Sequence, residues 1–231
     1  GQPNVGKSML INSISNARLK VGNFSGVTVT KEQVFLNYKN FNIEIIDLPG
    51  AYSLNDYTIE EKVTKDFLNN EKYDIILNVL DSTNLQRNLL LTAELLTLDK
   101  KMIIALNMSD EAEKESILID EIQLSRILGK PCIKTSAAKK SGITKLLDEI
   151  LLKFQSQKVP SKFFFSNVIE EEIENISRVL EENKYETTET YRQISLGLLK
   201  ENKNIYKQFH DEPIWIKIQP ILTEAFEHLF I

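Results

Sequence analysis

The sequence predicts an α/β protein, a mostly parallel sheet flanked by helices, followed by a small all-α domain. Three observations predict it. The chain opens on Gly1-Gln2-Pro3-Asn4-Val5-Gly6-Lys7-Ser8, a G-x-x-x-x-G-K-[ST] loop of the kind that joins a buried strand to a helix. Continuous apolar runs, Tyr73 to Asp81 (YDIILNVLD) and Lys101 to Asn107 (KMIIALN), read as strands covered on both faces, with a leucine-rich helical stretch between them. After Phe154 strand patterning stops and only helical spacing remains.

Taken in order, Lys7 to Asn16 reads as the first helix, and a polar, glycine-containing stretch runs from Leu19 to Glu32. Gln33 to Lys39 and Phe41 to Asp47 form a strand pair around a Lys39-Asn40 turn. Ile59 to Asn69 is helical, Tyr73 to Asp81 a strand and Asn84 to Leu98 a helix. Lys101 to Asn107 is a strand, and Asp120 to Leu128 a helix stopped by Gly129. Pro131 to Thr135 is a strand and Ile143 to Phe154 the closing helix. Residues 1–154 therefore form the first domain and 155–166 a linker broken at Pro160. Residues 167–231 form a helical domain from Val168–Asn183, Thr188–Lys200 and Pro213–Phe230. Pro213 suits a first helical turn, and Pro220 is expected to kink or interrupt the last helix. Because the opening loop normally follows a buried strand, a short apolar strand is expected upstream of Gly1, in a longer protein of which this chain is a piece.

Composition narrows the function classes. The 231 residues carry 28 Lys and Arg against 33 Asp and Glu, a net charge of -5. The pI near 5.3 argues against a broad nucleic-acid footprint. A single cysteine, Cys132, forms no internal disulfide and reads as a small core residue in a reducing, cytosolic setting. No signal peptide is visible, and no apolar run approaches the roughly 18 residues of a membrane span. His210 and His228, with the distant Cys132, make no plausible metal cluster and read as surface or packing residues. Trp215 reads as a packing anchor.

The opening loop implies a phosphate site. Its glycines let successive N–H groups turn inward, Lys7 reaches the β and γ oxygens, Ser8 ligates Mg²⁺, and the helix start that follows, with Met9, adds its dipole. Asp47-Leu48-Pro49-Gly50 (D-x-x-G) ends a strand, with Asp47 placed for Mg²⁺ and the Gly50 N–H for a γ-phosphate. Asn107-Met108-Ser109-Asp110 (N-x-x-D) ends another. The Asp110 carboxylate accepts two hydrogen bonds from guanine N1 and N2, which adenine does not offer. Thr135-Ser136-Ala137 puts the Ala137 N–H on guanine O6. Thr28, in Gly26-Val27-Thr28-Val29, lies where a mobile threonine completes a Mg²⁺ shell in the triphosphate state. Each short match alone is common as a turn or cap; together, in register at strand ends, they define a P-loop GTPase fold. Lys139 and Lys140 read as solvated surface charges.

These stretches closely resemble the cytosolic region of the ferrous iron transport protein B (FeoB) family. The resemblance is carried by Gly22-Asn23-Phe24-Ser25-Gly26-Val27-Thr28-Val29 and by Asp47 through Leu54, continuing to Tyr57 and Glu60-Glu61. Asp81-Ser82-Thr83-Asn84-Leu85-Gln86-Arg87-Asn88-Leu89 and Ala105 through Ala112 extend it. It is strong to about Phe154 and weaker beyond. Ser25 stands where the family commonly has proline, and Ser109 where it often has methionine.

The resemblance implies a GTPase that regulates Fe²⁺ uptake by a membrane-embedded permease domain of the same full-length protein, at the cytoplasmic face of the bacterial inner membrane. It also implies a helical domain that favours bound GDP. In similar GTPases an asparagine at the place of Asn4 binds K⁺, which with Lys7 neutralises phosphate charge; otherwise Asn4 is a turn residue. Met108 replaces the lysine of many small GTPases, so weak affinity and fast GDP release are expected. Ala51 follows Gly50 at the place for a water-orienting glutamine, so intrinsic hydrolysis is expected on the order of 10⁻³ s⁻¹.

An RNA- or ribosome-associated GTPase is the alternative, since such proteins share the G-x-P-N-x-G-K-S loop. They usually append a basic module, whereas residues from Gln155 onward carry 9 Lys and Arg against 13 Asp and Glu. No nucleic-acid partner is expected. The sequence leaves self-association open, as it does a nucleotide-dependent interaction module without transport.

Overall fold

The computed structural model describes residues 1–14, 18–24, 27–55, 57–158 and 162–230. The chain divides into two compact units, Gly1–Ser161 and Lys162–Ile231.

Among the described residues the first unit holds six strands in two three-stranded sheets. β1 (Arg18–Asn23), β2 (Thr30–Tyr38) and β3 (Phe41–Asp47) form an antiparallel meander. Lys39 and Asn40 both take positive φ (43° and 66°), the primed-turn geometry that matches the twist of a tight hairpin. β4 (Ile76–Asp81), β5 (Met102–Asn107) and β6 (Cys132–Lys134) are parallel, and every residue of β5 is buried. The opening loop lies between the two sheets. The Gly1 carbonyl accepts from Ala51 N, beyond β3, and a Cβ added to Gly1 would meet the Val79 carbonyl of β4.

Around the sheets run α1 (Lys7–Ile14), α2 (Ile59–Asn70), α3 (Leu85–Leu96), the short α4 (Ser109–Lys114), α5 (Glu121–Leu128) and α6 (Ile143–Gln155). Their ends are chemically specified. The Thr58 side chain caps α2 and Asp120 caps α5, while Gly129 ends α5 at φ 63°. Leu10 of α1, Val79, Ile103 and Ala105 of the parallel strands and Leu146 of α6 share one core with Val5. Burying the leucine, isoleucine and valine side chains among them contributes about 1.5–3 kcal/mol each. α3 is fixed to β4 by polar contacts: Asn78 donates to the Thr92 hydroxyl at 3.0 Å, and the Asp81 N–H points at Asn88 Oδ1 at 3.5 Å.

The second unit is all helix: α7 (Asn167–Glu182), α8 (Tyr191–Leu199), α9 (Lys203–His210) and α10 (Trp215–Phe230). Ile176, Leu180, Leu198, Phe209 and Ile218, all fully buried, form its core, and Trp215 packs against it. Thr190 and Gln193 make a reciprocal capping box at the start of α8. Arg192 grips Glu170 through both terminal nitrogens (2.6 and 2.7 Å) and also donates to the Phe163 carbonyl.

Several elements differ from the sequence reading. Leu19 to Glu32 is not one polar loop: it contains β1 and the start of β2, whose side-chain pattern is weak because β1 is an edge strand. α4 and α9 were not foreseen. α9 has two buried residues, Ile205 and Phe209, and takes its start from the Asn202 cap. Pro213 sits in the turn before α10, not in its first turn, and Pro220 does not interrupt the helix. The carbonyl that Pro220 leaves without its helical partner belongs to Ile216, and both residues are exposed, on the outer side of the helix. The expected break at Pro160 lies outside the described residues, as do Ser25 and Gly26.

Candidate nucleotide-binding site

The opening loop is shaped by two left-handed residues. Asn4 (φ 65°) crests it in an exposed position, and Gly6 (φ 80°) turns it into α1. Gly6 is required twice over, because an added Cβ would also lie 2.5 Å from Asn107 Nδ2. The Lys7 ammonium lies inside the ring of the loop, donating to the Gly1 and Gln2 carbonyls at 3.2 and 3.1 Å. Burial holds its pKa below the usual lysine value, and the nearby Asp47 carboxylate opposes that shift. Ser8 and Met9 are exposed at the start of α1.

The Ser8 hydroxyl donates to Asp47 Oδ2 at 3.3 Å, so the two residues expected at Mg²⁺ meet, one from α1 and one from the end of β3. Burial pushes the Asp47 carboxyl up and Lys7 pulls it down. A cavity of about 240 Å³ opens here, lined by Lys7, Ser8, Asp47 and Gly50 and by Thr30 and Glu32 of β2. Glu32 reaches it because it pairs across the sheet with Asp47. A larger depression, about 530 Å³, lies between α5, β6 and α6 and contains none of the motif residues. Gly50 sits hard on the loop: a Cβ there would be 2.8 Å from Pro3 backbone and 3.0 Å from Lys7 Nζ. Thr28 is exposed and does not line the cavity, while its neighbour Val27 packs on Phe24, Val63 and Phe67. Gly26 is outside the described residues.

The other motifs meet at the ends of β5 and β6. Asn107 joins two loops by three bonds through one amide: Nδ2 donates to the Val5 carbonyl at 3.0 Å, and Oδ1 accepts from Ala137 N at 3.1 Å and from the Thr135 hydroxyl at 3.4 Å. Met108, in left-handed backbone at φ 58°, turns the chain into α4. That turn buries Asp110 next to Ser136, whose hydrogen bond holds the Asp110 carboxyl below its ordinary range; Lys139, 3.8 Å away, acts in the same direction. Ser136 is fixed by a two-bond bridge to Ser141 (3.1 Å each way). Gly142, at φ 73°, lets that loop close, since a Cβ would strike the Lys134 carbonyl.

Three contributors were not legible in the motifs. Gln2, in a variable position of the loop, is buried and donates to the Arg87 carbonyl of α3 at 2.8 Å. Glu61 collects the Ser53 and Tyr57 N–H groups (3.1 and 3.2 Å), and Glu94 takes the Leu54 N–H at 2.6 Å, so two carboxylates shape the loop after Gly50. No short pattern marks Gln2 or Glu94, whose partners are set by folding; Glu61 stands in a Thr58-x-x-Glu61 cap pattern, which shows the helix start but not the bonds to Ser53 and Tyr57.

The fold and these loops define a P-loop GTPase domain, with its site at the carboxyl ends of the parallel strands. The profile described as ferrous iron transport protein B matches residues 1–150, and the chain belongs to that family. Among curated relatives, Fe(2+) transporter FeoB of Helicobacter pylori is 58% identical over 174 residues, 71% of this chain and 27% of that protein. The Campylobacter jejuni protein of the same name is 52% identical over 170 residues, 74% of this chain and 28% of its own. The chain thus spans under a third of the relatives it matches. Among solved structures, the cytosolic domain of T. maritima FeoB in a GDP form superposes with a TM-score of 0.82 at 30% identity, over 98% of this chain and 94% of that one. Its GMPPNP form gives 0.80 at 30% identity, with the same coverage of both chains.

Proposed function

We propose that this chain binds GTP and GDP at the described site and hydrolyses GTP to GDP and phosphate. In the full-length protein it would act at the cytoplasmic face of the inner membrane, regulating Fe²⁺ movement through a membrane-embedded part. The observation that carries the nucleotide reading is the convergence of Lys7, Ser8 and Asp47 at one end and Asp110, Ser136 and Ala137 at the other, linked through Asn107. Relatives are named as Fe²⁺ transporters and solved neighbours as GDP- and GMPPNP-bound FeoB domains, which supports the rest.

Each residue then has a task. The backbone N–H groups of Asn4 to Ser8 and the Lys7 ammonium would take the phosphates. Ser8 and Asp47 offer hard oxygens 3.3 Å apart beside the cavity, a donor set suited to Mg²⁺, with Thr28 joining in the triphosphate state. A metal held by these oxygens would neutralise phosphate charge. The Gly50 N–H senses the γ-phosphate. Asp110, held ionised by Ser136, accepts from guanine N1 and N2. The Ala137 N–H, shared in a three-centre bond with Asn107, serves O6. Asn4 offers its amide oxygen to K⁺. Ala51 is buried and brings no polar side chain to orient water, which fits a slow intrinsic rate on the order of 10⁻³ s⁻¹. The acidic second unit, lacking any basic surplus, gives no support to an RNA-bound role.

The assignment is tested at Asp110. Asp110→Asn exchanges acceptor for donor, so preference should move from guanosine to xanthosine nucleotides. Competition titration against labelled GDP reads it, and unchanged guanine preference refutes it.

A further inference from the structure

We infer that Arg87 and Glu94, on one face of α3, are positioning residues that hold the loop after Gly50 against the opening loop and so set the hydrolysis rate. This rests on the GTPase reading above. Residues seven apart in a helix share a face, and these two meet the same short loop at two points. The Arg87 guanidinium lies over the Tyr52 ring, 4.7 Å from its centroid, and Glu94 Oε2 accepts the Leu54 N–H at 2.6 Å. Arg87 also touches the other partner, because its carbonyl receives the Gln2 side chain of the opening loop at 2.8 Å. One residue therefore contacts both elements between which the reacting phosphate would sit.

The rigidity of α3 makes this a register device. Asn78 and the Asp81 N–H tie its inner face to β4, so α3 is fixed to the sheet. Glu61 also binds the loop, but from α2, the helix into which the loop runs; it shapes the loop without locating it on the sheet. Glu94 and Arg87 locate it. Between Gly50, packed on Pro3, and Leu54, held by Glu94, lie three residues, of which Ala51 donates its N–H to Gly1. With alanine in the place of a water-orienting side chain, the geometry at the γ-phosphate depends on the backbone of this span. A misplacement of about 1 Å at a reacting group can cost on the order of 100-fold in rate.

The test uses the whole 231-residue chain. Single-turnover GTP hydrolysis, GDP affinity and thermal midpoint are measured for Arg87→Ala and Glu94→Ala. Each should lower the hydrolysis rate about ten-fold, equal to about 1.4 kcal/mol in the barrier, while GDP affinity changes less than about two-fold. Glu94→Gln, whose amide oxygen still accepts from Leu54, should recover most of the rate. Arg87→Ala combined with Tyr52→Ala should lose no more than either alone, because both remove one contact. Should an alanine variant fail to fold, Arg87→Lys and Glu94→Asp carry the same prediction in milder form. Wild-type rates in the folded variants, or losses that follow GDP affinity or the thermal midpoint, overturn the inference. Failure of the wild-type chain to turn over GTP at all overturns the GTPase reading on which it rests.

Discussion

Asn4 stands in left-handed backbone, a conformation asparagine tolerates better than most residues, and that alone explains an asparagine at a turn. The proposed K⁺ role requires more, namely that its exposed amide take part in turnover. Hydrolysis should be several-fold faster in K⁺ than in Na⁺ at matched ionic strength, and Asn4→Ala should abolish the difference. Equal wild-type rates in the two salts leave Asn4 as a turn residue. Residues of this kind, and Lys7, Asp47 and Asp110, are legible in sequence because their chemistry lies within motifs of a few positions. Gln2 and Glu94 are not, since each acts on a partner 85 or 40 positions away. The Asn107 amide is half legible: N-x-x-D locates it, but its bond to Val5, 102 positions distant, appears only in the fold.

At the scale of elements, buried strands were readable because burial on both faces leaves a continuous apolar run, and amphipathic helices because burial of one face writes a period into the sequence. β1 was not, being an edge strand within a polar, glycine-containing stretch, and α9 was not, having only two core residues. The pairing of α7 with α10 was equally hidden. There, His228 Nδ1 lies 2.8 Å from Oε1 of the buried Glu172, with Glu224 and Glu171 nearby. The bond to Glu172, and then the surrounding carboxylates, raise the His228 pKa above its usual 6.5. A raised histidine pKa stabilises the folded state fully below the unfolded value, and that contribution fades as pH rises through the folded value. The α7–α10 contact should thus be tighter near pH 6 than near pH 8. An NMR titration of the His228 ring should show a midpoint above 6.5, falling in Glu172→Gln. A midpoint at or below 6.5, or one unmoved by the substitution, removes Glu172 as the cause.

For the whole molecule, the two units have separate cores, and the second contains no motif with chemistry of its own. Among the described residues no helix is long and apolar enough to cross a membrane. The proposed task of the helical unit is to favour bound GDP, which requires a differential free energy between the GDP-bound and nucleotide-free states. A chain ending at residue 161 should then release GDP several-fold faster than the full 231 residues, with guanine preference unchanged. Stopped-flow release of a fluorescent GDP measures this. Equal off-rates for the folded shorter chain and the whole one would make the helical unit a spacer.

The Asn107 amide has a consequence for how a nucleotide would depart. Its one amide joins the Val5 carbonyl of the phosphate loop to the Ala137 N–H of the base loop, so neither loop relaxes without straining the other. A nucleotide gripped at both ends by such a staple is expected to leave in one concerted event, with single-exponential release, rather than peeling off base first or phosphate first. Fragments that fill one end only, guanosine or pyrophosphate, inherit the cost of ordering both loops and the contacts of just one.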